Sequence, residues 1–120
     1  MFQENLKKIV QGVEGGIGGV IMGLDGIAVE TYMSDKNGFD INIIGMEFSY
    51  ILREATRAAE ALRVGGVKEF IIKAEQLTLV IRMLTDEYFL AVAMSPAGNF
   101  GKCRFVLRMS ESKLIGELQV

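Results

Sequence analysis

Apolar residues at Phe2, Leu6, Ile9, Val10 and Val13 are spaced by three and four between polar positions, which draws one stripe along a short first helix. Gly12, Gly15 and Gly16 end it. Gly18 to Leu24 and Ile27 to Met33 read as two strands joined at Asp25-Gly26, a dipeptide that accepts the positive φ of a tight hairpin turn. A polar loop, Ser34-Asp35-Lys36-Asn37-Gly38, leads to Asp40, which can cap a long helix running to about Val64 and stopped by Gly65-Gly66.

Three further strands are expected at Val67 to Ala74, Leu77 to Leu84 and Tyr88 to Met94, and the short turns between them make them antiparallel neighbours. Their apolar residues fall on successive positions, as in Phe70-Ile71-Ile72 and Leu79-Val80-Ile81, so the sheet must be covered on both faces. Ser95 to Asn99 breaks the chain. Asn99 then caps a last helix striped by Phe100, Cys103, Leu107, Leu114 and Leu118. The expected order is αββαβββα, an α+β three-layer sandwich: a five-stranded antiparallel sheet with the long helix on one face and the two terminal helices on the other.

The length of 120 residues fits a single domain over 1–120 that can bury a core without staples. A net charge of −2 with 23% charged residues gives no electrostatic ground for a nucleic-acid partner. The apolar runs fall far short of the roughly 20 residues a membrane helix needs, so no membrane insertion is expected. One cysteine excludes an internal disulfide, and the start Met1 to Asn5 lacks a secretory pattern, so a reducing cytoplasm is the expected setting. Half the residues are apolar and mean hydropathy is +0.31, high enough to suggest that a second chain covers some of the surface.

The chain has no His and no Trp, which removes the commonest general base and a common metal ligand. The Gly-rich stretch Gly12 to Gly23 has neither a Gly-Lys-Ser/Thr ending nor GxGxxG spacing, and it leads into a strand, so it reads as close backbone approach, not a phosphate cradle. Asp86-Glu87, and Asp35 near Asp40, lack calcium-loop spacing and read as turn and capping residues. Ser95 and Ser110 have no identifiable base. Cys103 could be a thiolate nucleophile through the helix dipole, Lys102 and Arg104, but it lies on the apolar stripe and reads as a packing thiol. No catalytic residue, cofactor or metal ligand is expected.

The long helix carries more information. Ile41, Ile44, Phe48, Ile51, Leu52, Ala55, Ala59 and Leu62 share one arc at 100° per residue, the expected core face. A second line, Ile43, Met46 and Tyr50 continuing through Arg53 and Arg57, lies more than 90° away and reads as a partner-facing surface, because Tyr, Met and Arg suit protein interfaces. Phe105 and Met109 repeat the pattern on the last helix. Lys68, Glu69 and Lys73 on the third strand have two readings: charges that block pairing at a sheet edge, or complementary charges across a symmetric dimer edge.

The run from Gly15 to Val29, the long middle helix, the strand ending Tyr88-Phe89-Leu90-Ala91-Val92, and Asn99-Phe100-Gly101-Lys102-Cys103-Arg104 together resemble the roadblock family of dynein-light-chain-like domains over nearly the whole chain. Among its members the bacterial MglB-type proteins, regulators of a Ras-like small GTPase called MglA, look most similar. The resemblance implies a homodimer in which the middle helices, Asp40 to Val64, pack together and the third strands, Val67 to Ala74, meet edge to edge. It puts Met46, Tyr50, Arg53 and Arg57 among the candidates for the GTPase platform, and Lys68, Phe70 and Ile72 at the joined edge. The function it implies is non-enzymatic stimulation of the partner's GTP hydrolysis. A structural adaptor in a motility or signalling complex is the alternative, and a Cys103 thiol enzyme a remoter one.

Overall fold

The computed structural model describes residues 1–34 and 38–119, so Asp35, Lys36 and Asn37 of the expected polar loop lie outside the described residues. The elements follow in the expected order: α1 (Phe2–Gln11), β1 (Gly16–Gly23), β2 (Ala28–Met33), α2 (Ile41–Leu62), β3 (Glu69–Lys73), β4 (Thr78–Met83), β5 (Tyr88–Met94) and α3 (Phe100–Leu118). All five strands pair antiparallel in one sheet, ordered β2-β1-β5-β4-β3, with β2 and β3 at the edges.

The β1–β2 hairpin uses a three-residue loop. The Gly26 amide donates to the Gly23 carbonyl, the Gly23 amide to the Ile27 carbonyl, and Asp25 Oδ1 accepts from the Ile27 amide. Of the expected pair only Gly26 takes positive φ, at 85°, which makes this a turn closed by a left-handed glycine and not a two-residue turn. Farther along, the pairing register shifts between Ile21 and Met22, where β2 carries one extra residue.

Strand alternation sorts the core into two halves. Ile21, Val80, Leu90 and Val92 point toward α1 and α3, where they meet Leu6, Ile9, Cys103, Leu107 and Leu114. Their neighbours Val20, Met22, Leu79, Ile81, Phe89 and Ala91 point to the other face and meet Ile41 and Leu52 of α2. The consecutive apolar residues therefore mean what period-two geometry requires, a sheet buried on both sides. Close approach of backbone explains part of the Gly-rich stretch: a Cβ on Gly16 would lie 2.3 Å from the Val10 carbonyl oxygen.

α2 is held at both ends. Asp40 Oδ1 accepts from the Asn42 and Ile43 amides, as expected of the cap. At the other end Arg63 takes the left-handed conformation, φ 56°, with its amide donating to the Glu60 carbonyl and that of Val64 to the Ala59 carbonyl. The helix thus closes two residues before Gly65, on an arginine where a glycine is usual.

Candidate functional site

α2 lies on the sheet through a narrow line of small residues that apolar periodicity does not reveal. Gly45 and Ser49 are buried beside Ile41, Leu52 and Ala59. A Cβ on Gly45 would come within 2.9 Å of Met22 Cε, and Ser49 Oγ turns back to donate to the Met46 carbonyl at 2.7 Å. Two expected core residues are not core: Ile51 is 39% and Leu62 is 72% exposed. Ile51 sits about 100° round the helix from buried Leu52. Leu62 belongs to the last turn of a 22-residue helix, about 33 Å long, which overhangs the shorter strands beneath it.

The outer face of α2 carries the expected line. Ile43, Met46 and Tyr50 are all exposed, Tyr50 at 64%. The Arg53 guanidinium lies 5.6 Å from the Tyr50 ring centroid and donates to the Leu24 carbonyl of the β1–β2 loop. Arg57 donates to Glu54 Oε1 at 3.1 Å, and that hydrogen bond with the carboxylate's charge raises the guanidinium above its usual range. Both arginines are therefore directed by local partners, and the apolar part of the line remains open.

Phe70 and Ile72 are half-buried on the same side of the sheet, packed against the α2-side core. Exposed Lys68 precedes them and lines, with Thr56 of α2, a cleft of about 310 Å³. Ile43, Met46, Tyr50, Arg53 and Arg57 thus lie along the outer side of α2, while Phe70 and Ile72 lie on the α2 side of the sheet at its β3 edge, next to Lys68.

The other charges of β3 turn to the opposite face. Glu69 Oε1 accepts from Arg104 Nε at 3.1 Å and Nη2 at 2.7 Å, and Arg82 lies between Glu69, at 3.8 Å, and Glu111, at 3.4 Å. Lys73 Nζ sits 4.0 Å from the Phe100 ring centroid. Glu69 and Lys73 thus join β3 to α3 within the chain, which leaves Lys68 as the charge available at the edge. Only strand parity, with Glu69 one position before Phe70 and Lys73 one after Ile72, carried this in the sequence.

Cys103 is fully buried, and burial first, then the Glu69 charge, pushes its thiol up to about 12. The dipole and neighbouring cations expected to lower it lose to desolvation, and Arg104 is turned toward Glu69. Ser95 Oγ accepts from the Ala97 amide, and Ser110 Oγ donates to the Val106 carbonyl, so both hydroxyls serve the backbone. Asp86 and Glu87 lie in a turn where Thr85 Oγ1 accepts from the Glu87 and Tyr88 amides. Among the described residues, no group of three His, Cys, Asp or Glu side chains is placed to hold a metal ion, and no helix is long and apolar enough to cross a membrane.

No family model matches the sequence, and neither does any curated protein. Among solved structures, the fold superposes on a Roadblock/LC7 domain from Streptomyces avermitilis with a TM-score of 0.85 at 14% identity, covering 98% of this chain and 97% of that one. MglB from Myxococcus xanthus gives a TM-score of 0.83 at 9% identity, covering 98% and 97%. MglC from the same organism is 37% identical over 97% of this chain and 98% of its own, with a TM-score of 0.70. The chain belongs to the roadblock family. As a roadblock domain it has the fold expected from its sequence.

Proposed function

We propose that this roadblock chain is a cytoplasmic regulatory protein of one domain that pairs with a second copy of itself and binds a Ras-like small GTPase of the MglA type, promoting its GTP hydrolysis. The observation that carries the reading is the outer line of α2, where Ile43, Met46 and Tyr50 are exposed beside two arginines. Contact residues of this kind favour protein partners. Arg53 and Arg57 have local acceptors in Leu24 and Glu54, which suits a surface that biases the GTPase's own conformation better than an inserted arginine finger.

Single-turnover GTP hydrolysis by the cognate GTPase, measured with and without saturating roadblock protein, tests this. A faster rate is expected. Binding with no change in rate would remove the activating role.

A structural adaptor is the second reading, because the sequence likeness to MglB itself is slight. Identity is 37% with MglC but 9% with MglB, although both relatives come from Myxococcus xanthus. On that reading the open α2 face would hold an assembly together, and co-purification would recover a stable complex indifferent to nucleotide.

A further inference from the structure

The face opposite α2 carries a second surface, which pairing through α2 and β3 leaves uncovered. A cleft of about 200 Å³ opens there between α1 and α3, with buried Ile9 and Leu114 at its floor and exposed Lys8, Met109 and Lys113 around it. Phe105, 51% exposed, stands one turn from Met109, 68% exposed, on the outer side of α3. Large apolar groups beside a concave floor form an anchor site for a side chain from outside.

Its charge is unbalanced. Both carboxylates of α3 are paired within the chain, Glu111 with Arg82 at 3.4 Å and Glu117 with the amino terminus at 3.2 Å and with Asn5. By contrast Lys8 and Lys113, the charged residues that line the cleft, form no ion pair among the described residues. In a chain of net charge −2 this cleft is therefore lined by two lysines and by no carboxylate.

We propose that the α1–α3 cleft docks an acidic segment of a partner protein, one that sets an apolar anchor side chain among carboxylates. The cleft receives the anchor, and Lys8 and Lys113 on its two walls meet the flanking acids. A lipid surface fits less well, because the outer line of α3 continues from Phe105 and Met109 to Ser112 and Gly116 and offers no continuous apolar stripe. The outer face of α2 in a second copy fits less well too, since its Arg53 and Arg57 would meet like charge.

The probe is a fluorescein-labelled amphipathic peptide with leucines on one helical face and glutamates on the other, titrated with the full chain and followed by polarisation. The acidic peptide is expected to bind, weakening as added salt screens the charges. A control peptide with lysine in place of glutamate is expected not to bind. Lys8→Glu with Lys113→Glu should weaken the acidic peptide about tenfold or more, whereas Glu75→Gln in the exposed β3–β4 turn should leave it unchanged. All substituted residues are exposed, and equal melting temperatures would certify folding; should the double variant melt early, Met109→Glu alone reads the same loss.

Equal binding of both peptides, no loss in the cleft variants, or loss in Glu75→Gln would each overturn the proposal. So would failure of the acidic peptide to bind, or stronger retention of the protein on phosphatidylserine vesicles than on the peptide. The GTPase assay is independent of these outcomes, since it reads the α2 face.

Discussion

Cys103 sits in the first turn of α3, where a helix dipole and adjacent cations would ordinarily favour a thiolate. Its complete burial reverses that expectation, and the thiol rises from 9.0 to about 12. The folded state therefore holds the proton more tightly than the unfolded chain. The resulting stability is fully present below about pH 9 and is lost as pH rises from there toward 12. Urea unfolding at about pH 8 and about pH 10 should show a loss of about 1 kcal/mol attributable to this thiol. Cys103→Ala, less stable at the outset because of its cavity, should lose correspondingly less over the same interval. Lysines and tyrosines titrate in both proteins, so the difference between the two losses isolates the thiol; equal losses would mean that the thiol is not held neutral by the fold.

At the scale of elements, α2 shows how far pattern reading reaches. Asp40 as cap and Ile41, Leu52 and Ala59 as core were legible because capping and a 3.6-residue period are local properties. Ile51 and Leu62 were misplaced because a sequence does not state how wide a sheet the helix crosses. Gly45 and Ser49 were missed because closeness to β1, not hydrophobicity, selects them. Glu69 was ambiguous for a related reason: its partners Arg82 and Arg104 lie on other elements, and only the assembled sheet brings them together. The contact line from Ile43 to Arg57 was legible because it is what remains of the helix once the core arc is assigned.

The end of α2 also carries a measurable strain. Arg63 adopts a left-handed backbone that costs an L-residue about 1 kcal/mol or more relative to glycine. Arg63→Gly should raise stability in urea by up to about 1 kcal/mol, a gain reduced by glycine's greater freedom in the unfolded chain. Arg63→Ala keeps the strain and should show no such gain.

For the whole molecule, the two faces of the sheet differ in how completely they are covered. α1 and α3 share one side, while α2 alone covers the other and leaves Phe70, Ile72 and Met83 only half-buried toward the β3 edge. A second copy placing its own α2 against the first, with the β3 edges adjoining, would cover that remainder together with Ile43, Met46 and Tyr50. Arg53 is a poor probe of such an interface, because reversing its charge also releases the Leu24 carbonyl and loosens the hairpin loop. Met46→Glu with Tyr50→Ala changes exposed side chains alone. Sedimentation equilibrium should then show the parent protein at twice the chain mass and the variant dissociating with Kd raised about thirtyfold or more, the equivalent of losing about 2 kcal/mol at an interface centre. Because neither side chain is in the core, far-UV circular dichroism of the variant should keep the parent's helix and strand content. A variant that remains a dimer with unchanged affinity would move the interface off α2, and the β3 edge would then have to hold the pair by itself.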